Sequence, residues 1–316
     1  MMTPRPWIEA FAPATVSNLG PGFDCLGLAL GGPGDTVRAR RCDARGVFLL
    51  SVSGDGGRLP LAVRQNTAAV AVRELLRRHG PEMGVELELF KGLPLGSGLG
   101  SSGASACAAV VAADAALGLS LAPTQLIDAA REGERVACGA AHPDNVAPSI
   151  MGGLVLIPSI DPLRVVRLPV PENMWLAVYT PGHEVSTVDA RAVLPREFGL
   201  SAMVAQSARM GLLVHALHQG DLQLFGEAMV DEVAEPARAH LIPGYMEAKA
   251  ACLEAGAVAC TISGAGPSTV AIVEAEVRGH AMLAILDECF TGAGVAGQGR
   301  VAQVSGGARV VSAPLH

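Results

Sequence analysis

Apolar and polar positions along the chain fall into two rhythms. Val85, Leu87 and Leu89 alternate with Glu86 and Glu88, which predicts a strand over Val85–Phe90 with one buried face. Ala104–Leu117 is an alanine-rich run that reads as a helix stopped by Gly118. Upstream, a helix opening at Thr67 turns Ala71, Val72, Leu75 and Leu76 inward and Arg73, Glu74, Arg77 and Arg78 outward. Asn66 is its N-cap and Gly80-Pro81 its end. Another helix is predicted from Pro123 to about Val136, and a strand-rich stretch from Asp35 to Ser53. Before that, Leu19-Gly-Pro-Gly-Phe-Asp24 is a hairpin-type reversal that lets Asn18 and Asp24 point the same way.

The second half opens with strands at Leu154–Pro158, Val165–Leu168 and Trp175–Thr180. Helices follow: a short one capped by Ser186 or Thr187, then Ala202–His218, Asp221–Val230 and one running to Ala255. Strands at Val258–Ile262 and Thr269–Val273 flank Ser263-Gly-Ala-Gly-Pro-Ser268. A helix over Glu276–Phe290 and strands at Val301–Ser305 and Ala308–Ser312 close the chain. The Asp161-Pro162 turn is the expected boundary, dividing the chain into 1–160 and 161–316.

With 316 residues, half of them hydrophobic, the chain can bury a large core, and its length fits two domains. The net charge of −7 and 3% aromatic content point away from nucleic acid, which needs basic tracks and stacking platforms. No apolar run is long enough for a membrane span. Cys25, Cys42, Cys107, Cys138, Cys252, Cys260 and Cys289 form no CxxC pair, so free thiols in a reducing cytoplasm are expected.

The richest chemistry lies between the strand and the alanine-rich helix, in Pro94-Leu-Gly-Ser-Gly-Leu-Gly-Ser-Ser-Gly-Ala-Ser-Ala106. Glycines let the backbone approach a ligand and adopt positive φ. The helix start then offers free N–H groups and a dipole to an anion, so phosphate is the natural guest. Ser97, Ser101, Ser102 and Ser105 can add hydroxyl donors or hold a cation. A Walker loop is excluded because no lysine follows the glycines; Lys91 and Lys249 are the only two in the chain. Gly98-Leu-Gly-Ser-Ser-Gly103 matches a dinucleotide fingerprint, but the acidic residue about 20 positions on is missing. His142 lacks a second His or Cys at ligand spacing, which argues against a zinc-type site.

Pro94–Ser102 fits the Pro-x-x-x-Gly-Leu-Gly-Ser-Ser loop of the GHMP kinases at every position. Pro13–Leu30, Pro94–Val110 and Cys260–Ile272 resemble that family's three motifs in order and spacing. Four stretches resemble its homoserine kinase branch: Ser17–Asp24, His142–Gly153, Val185–Thr187 with Arg191–Pro195, and Glu235–Tyr245. The resemblance covers essentially the whole chain. It implies an α+β fold of two halves, the first like domain 2 of ribosomal protein S5 and the second ferredoxin-like, with ATP and acceptor in the cleft between them.

Site roles follow by the same resemblance. Pro94, Gly96, Ser97, Gly98, Leu99, Gly100, Ser101, Ser102 and Gly103 would wrap the ATP phosphates, with Gly264 as a second wall and Asn66 near the adenine. Ser102 and Glu134 would hold Mg²⁺, which takes few protein oxygens when phosphates and water supply the rest. L-Homoserine would be held through its carboxylate by Arg191 and Arg238 and through its ammonium by Asp24, with Asn18 and His142 close by. Asn145 would sit at the reacting hydroxyl. Galacto- and mevalonate kinases are thought to use an aspartate base with a lysine. Here Asn145 occupies the matching region and neither lysine is well placed, so direct attack without a strong base is implied, Asp144 being the one neighbouring carboxylate. A homodimer is common in the family. The alternative within it is a kinase for another small alcohol, such as mevalonate or shikimate. Outside it stand a nicotinamide-dependent oxidoreductase and a GHMP-fold binding protein without activity.

Overall fold

The computed structural model describes residues 5–139 and 141–311. In chain order it runs β1 (Ile8–Asn18), β2 (Gly22–Cys42), β3 (Gly46–Ser53), α1 (Thr67–His79), β4 (Gly84–Phe90), α2 (Ser101–Leu117), α3 (Pro123–Cys138), α4 (Val146–Met151), β5 (Leu154–Ile160) and β6 (Leu163–Leu168). It continues with β7 (Trp175–Pro181), α5 (Thr187–Ala192), α6 (Leu200–Gln219), α7 (Leu222–Ala228), α8 (Ala234–Arg238), α9 (Tyr245–Glu254), β8 (Ala259–Ile262), β9 (Thr269–Val273), α10 (Glu276–Gly292), β10 (Gly297–Ala302) and β11 (Arg309–Val311).

Two sheets organise these elements. The first has the order β11-β1-β2-β4-β3, with β5 on β2 and β6 on β5. Its pairings are antiparallel except β3 with β4. Val85, Leu87 and Leu89 face inward from β4 onto α1 and α2, as the alternation requires, each contributing about 1.5–3 kcal/mol by burial. The second sheet, β10-β7-β9-β8, is wholly antiparallel. It packs Tyr179 flat on Phe290 of α10, ring centroids 5.2 Å apart, while Val178 and Ile272 join the first core.

Sheet membership does not follow the chain simply. β6 hydrogen-bonds to β5, and β11 returns from the far end of the chain to β1. A cut at 160/161 therefore falls in the β5–β6 hairpin; we propose that the first half reaches Leu168 and recovers β11.

Of the two strands expected at the end of the chain, one is displaced and one stands where expected. The one expected at Val301–Ser305 is β10, displaced toward the N-terminus because Gly297-Gln-Gly-Arg300 carries no strand signal yet pairs with β7. That expected at Ala308–Ser312 is β11, and Ser312 lies outside the described residues. β2 is continuous through Gly31–Gly34, and a register shift against Pro13/Ala14 absorbs the extra residues.

Candidate active site

Asn66 caps α1, its Oδ1 accepting from the amides of Ala68 and Ala69. Its side chain is buried at one wall of a cavity of about 450 Å³. The glycine loop forms the floor. Gly96, Gly98 and Gly100 all take positive φ, and a Cβ on Gly98 would stand 2.5 Å from the Ser263 carbonyl oxygen. At Gly100 it would meet Thr15 Oγ1 at 2.0 Å. No side chain caps α2, whose first residues, Ser101 and Ser102, stand at this floor. The backbone thus forms an anion cradle of the kind expected for phosphate.

The loop after β8 is the second wall. Ser263 Oγ donates to Gly98 O at 2.7 Å and Ser268 N to Ser97 O at 3.2 Å. Gly264 N donates to Ser17 O, and Gly264 O accepts from Asn18 Nδ2 at 2.8 Å and from Arg238 Nη1 at 3.0 Å. The second sheet is stapled to the glycine loop and to β1 at one point.

Glu134 points inward from α3, whereas Glu132, two residues away on the helix, pairs outward with Arg135. Ser102 Oγ donates to Glu134 Oε2 at 3.1 Å. Burial pushes the Glu134 carboxyl up to about 7, with Asp144 adding to the rise. A buried carboxylate beside a hydroxyl, open to a phosphate cradle, is a donor set that suits a hard divalent cation completed by phosphate oxygens. Among the described residues, no group of three His, Cys, Asp or Glu could cage a metal unaided.

At the other end lies a cluster of charged residues. Asn18, Leu19 and Asp24 all adopt positive φ around the β1–β2 reversal, a concentration of backbone strain typical of functional sites. Asn18 Oδ1 accepts from Asp24 N at 3.1 Å. Arg191, from α5, pairs with Asp24, and His142 Nδ1 lies 3.5 Å from Asp24 Oδ2. The Phe23 ring lies near both guanidinium groups, 5.8 Å from Arg191 and 5.1 Å from Arg238. Between this corner and the cradle stands Asn145. Its Oδ1 accepts from Thr15 Oγ1 at 2.7 Å and its Nδ2 donates to Ser17 Oγ at 3.2 Å.

The cavity lining includes Asn18, Asp24, Glu134, His142, Arg191 and Arg238, so one space gathers residues spread over more than two hundred positions. Pro94, Leu99 and Gly103 are not part of that lining: Leu99 and Gly103 are buried behind it, and Pro94 is exposed outside it. Leu99 is buried and its carbonyl accepts from Thr15 N; Pro94 O accepts from Ser97 Oγ.

Residues 66–153 match the GHMP kinases N terminal domain and residues 213–291 the GHMP kinases C terminal family. Homoserine kinase of Chlorobium phaeovibrioides is 43% identical over 293 residues, 90% of this chain and 92% of that protein. The chain belongs to the GHMP kinase family. Homoserine kinase of Arabidopsis thaliana is 41% identical over 290 residues, 90% of this chain and 78% of that protein. The crystal structure of homoserine kinase from Cytophaga hutchinsonii aligns with a TM-score of 0.93 at 43% identity, covering 98% of this chain and 99% of that one. The α+β two-sheet arrangement is the GHMP kinase fold.

Within that GHMP kinase frame, two sequence expectations change. Lys91 lines the cavity, whereas Lys249 pairs with Glu235. Of the four loop hydroxyls, Ser97, Ser101 and Ser105 are spent on internal bonds, which leaves Ser102 facing Glu134. Thr15, Ser17 and Phe23 carry no individual sequence signal for a part in this site. The first two alternate on β1 and read as ordinary strand residues, and Phe23 reads as part of a turn.

Proposed function

We propose that the chain transfers the γ-phosphoryl group of ATP to the side-chain hydroxyl of L-homoserine, giving ADP and O-phospho-L-homoserine for threonine biosynthesis. One observation carries this reading: a backbone phosphate cradle shares its cavity with Asp24, Arg191 and Arg238, opposite charges suited to the two ends of an amino acid.

The amides at the start of α2 and the loop glycines would bind the ATP phosphates. Mg²⁺ would be held by Ser102 and Glu134; bound there, it supplies charge neutralisation to the transferring phosphoryl group. Arg191 and Arg238 would hold the homoserine carboxylate and Asp24 its ammonium. Asn145, fixed by Thr15 and Ser17, would orient the hydroxyl toward the γ-phosphate. Positioning and charge stabilisation carry a loose phosphoryl transfer, with no strong base required. Six described cysteines are free thiols, which supports the cytoplasm as location; the side chain of Cys138 lies outside the description. Among the described residues no helix is long and apolar enough to cross a membrane.

Purified protein incubated with ATP, Mg²⁺ and a panel of alcohols tests the reading. Homoserine should be consumed with matching ADP release. Turnover of mevalonate or shikimate without homoserine would refute it.

A further inference from the structure

Beneath the glycine loop lies a charged cluster to which the proposed reaction gives no part. Lys91, at the end of β4, and Asp35, on β2, form an ion pair whose side chains are 1% and 0% exposed. Lys91 Nζ donates to Asp35 Oδ2, to Ser101 O at 2.9 Å, to Ser101 Oγ at 2.7 Å and to Ser105 Oγ at 2.9 Å. Ser105 Oγ donates to Asp35 Oδ2 at 2.6 Å. The other carboxylate oxygen, Asp35 Oδ1, accepts from the amides of Gly92 and Leu93 at 3.0 and 3.2 Å. Ser101 Oγ in turn reaches Leu93 O at 3.3 Å.

The connectivity is informative. An ammonium has three hydrogens, and here four internal acceptors share them. Lys91 is therefore saturated from within although it forms part of the cavity wall. The cluster grips the loop at both ends: Gly92 and Leu93 where it leaves β4, Ser101 and Ser105 where it enters α2. Ser101 is held through both its carbonyl and its hydroxyl. That fixes the first turn of α2, and with it the neighbouring Ser102 and the uncapped amides.

Packing alone does not account for such a pair. A buried ion pair usually adds little stability over apolar or neutral replacements of the same shape. Its particular property is directional: it sets where the loop and the helix start stand relative to β2.

We propose that Lys91, Asp35 and Ser105 are positioning residues, a strut that sets the geometry of the phosphate cradle through Ser101 and Ser102. This rests on the loop being the nucleotide-phosphate site.

The test uses Lys91→Met, Asp35→Asn, the double variant and Ser105→Ala in the full chain. Thermal midpoint, KM for MgATP and KM for homoserine are read for each. Each charge-removing single variant should lower the midpoint and raise the MgATP KM by about tenfold or more, with homoserine KM within about threefold. The double variant leaves no orphan charge, and Asn at position 35 can still accept from the two amides. Its midpoint should recover while its MgATP KM stays high. Ser105→Ala, the mildest change, should raise MgATP KM severalfold. If a single variant fails to fold, the double and Ser105→Ala carry the test. Recovery of MgATP KM together with the midpoint would make the cluster merely structural and overturn the proposal. So would an MgATP KM within about twofold of wild type in the folded variants. Should the wild type turn over no homoserine, the proposed reaction falls instead; calorimetric MgATP affinity across the same variants still decides the strut.

Discussion

Arg191 and Asp24 grip each other in a two-point ion pair: Nη2 lies 2.8 Å from Oδ1 and Nη1 3.1 Å from Oδ2. One stands on α5, beyond the second sheet's β7, and the other on β2 of the first sheet. Each supplies the counter-charge of the other. An amino acid that binds as proposed must exchange this pair for two new ones, carboxylate to Arg191 and ammonium to Asp24. A ligand with both charges completes the exchange. A ligand with one charge strands a half-buried partner, a loss of about 1–3 kcal/mol.

Singly charged analogues should therefore be poor substrates. 4-Hydroxybutanoate lacks the ammonium and 3-amino-1-propanol lacks the carboxylate, while both keep a primary hydroxyl. Each should show kcat/KM lower than homoserine by about 10²-fold, the upper end of a stranded charged hydrogen bond. Coupled ADP-release kinetics measure this. Near-equal use of 4-hydroxybutanoate would rule out the exchange.

Asp24→Asn should raise the homoserine KM by about 10–100-fold, the range for a lost charged hydrogen bond, with MgATP KM moving much less. The variant should also narrow the gap between homoserine and 4-hydroxybutanoate, because Arg191 no longer has to leave a carboxylate. A rise in both KM values together would mean that the β1–β2 reversal, and not the ammonium site, had been damaged.

Much of this was legible in the sequence. The α1 boundaries, the inward Leu75 and Leu76, and the glycine loop all carry local signals: a cap, a helical period, a spacing of glycines. Glu134 could be singled out from Glu132 only through family resemblance, since helical spacing says that they diverge but not which turns in. The placement of Lys91 has no local signal, because its meaning lies in Asp35, fifty-six residues away on a different strand. The path of β2 through Gly31–Gly34 was hidden for another reason. Glycine and proline ordinarily punctuate strands, and here a register shift accommodates them.

Ser102→Ala and Glu134→Gln should each raise the Mg²⁺ concentration for half-maximal rate by at least about 10–100-fold, the loss seen when even the outer supports of a metal ligand are removed. The readout is initial rate against free Mg²⁺ at saturating substrates. Excess metal should partly rescue Ser102→Ala, because water can replace a hydroxyl ligand more easily than a carboxylate. Unchanged Mg²⁺ dependence in both variants would place the cation elsewhere.

Glu74 gives a pH prediction for stability. Hydrogen bonds from Arg77, with Arg78 assisting, hold its carboxyl down at about 2. The folded value lies below the unfolded one of about 4.3, so the stabilisation is present above that pH and fades as pH falls toward 2. Glu74→Gln should therefore melt below wild type at pH 7, and the gap should narrow from about pH 4.5 downward. Melting curves from pH 3 to 7 check this; a gap independent of pH would assign the loss to packing.

Asp144 decides between positioning and base catalysis. It is buried, and burial together with Asp24 raises its carboxyl above the ordinary range. Its Oδ2 lies 3.5 Å from Asn145 Nδ2, so it neighbours the group proposed to orient the hydroxyl. A raised carboxyl there has the location of a base, yet a loose transition state asks little of one. Loss of a general base costs about 10²–10⁴ in rate. Asp144→Asn keeps shape and hydrogen bonding while removing basicity, and should lower kcat by less than about tenfold. Asn145→Ala, which removes the group proposed to orient the hydroxyl, should lower kcat more than Asp144→Asn does, with little change in MgATP KM. The reverse order, with kcat in Asp144→Asn falling a hundredfold or more by the same scale, would make Asp144 the base and overturn the direct-attack reading.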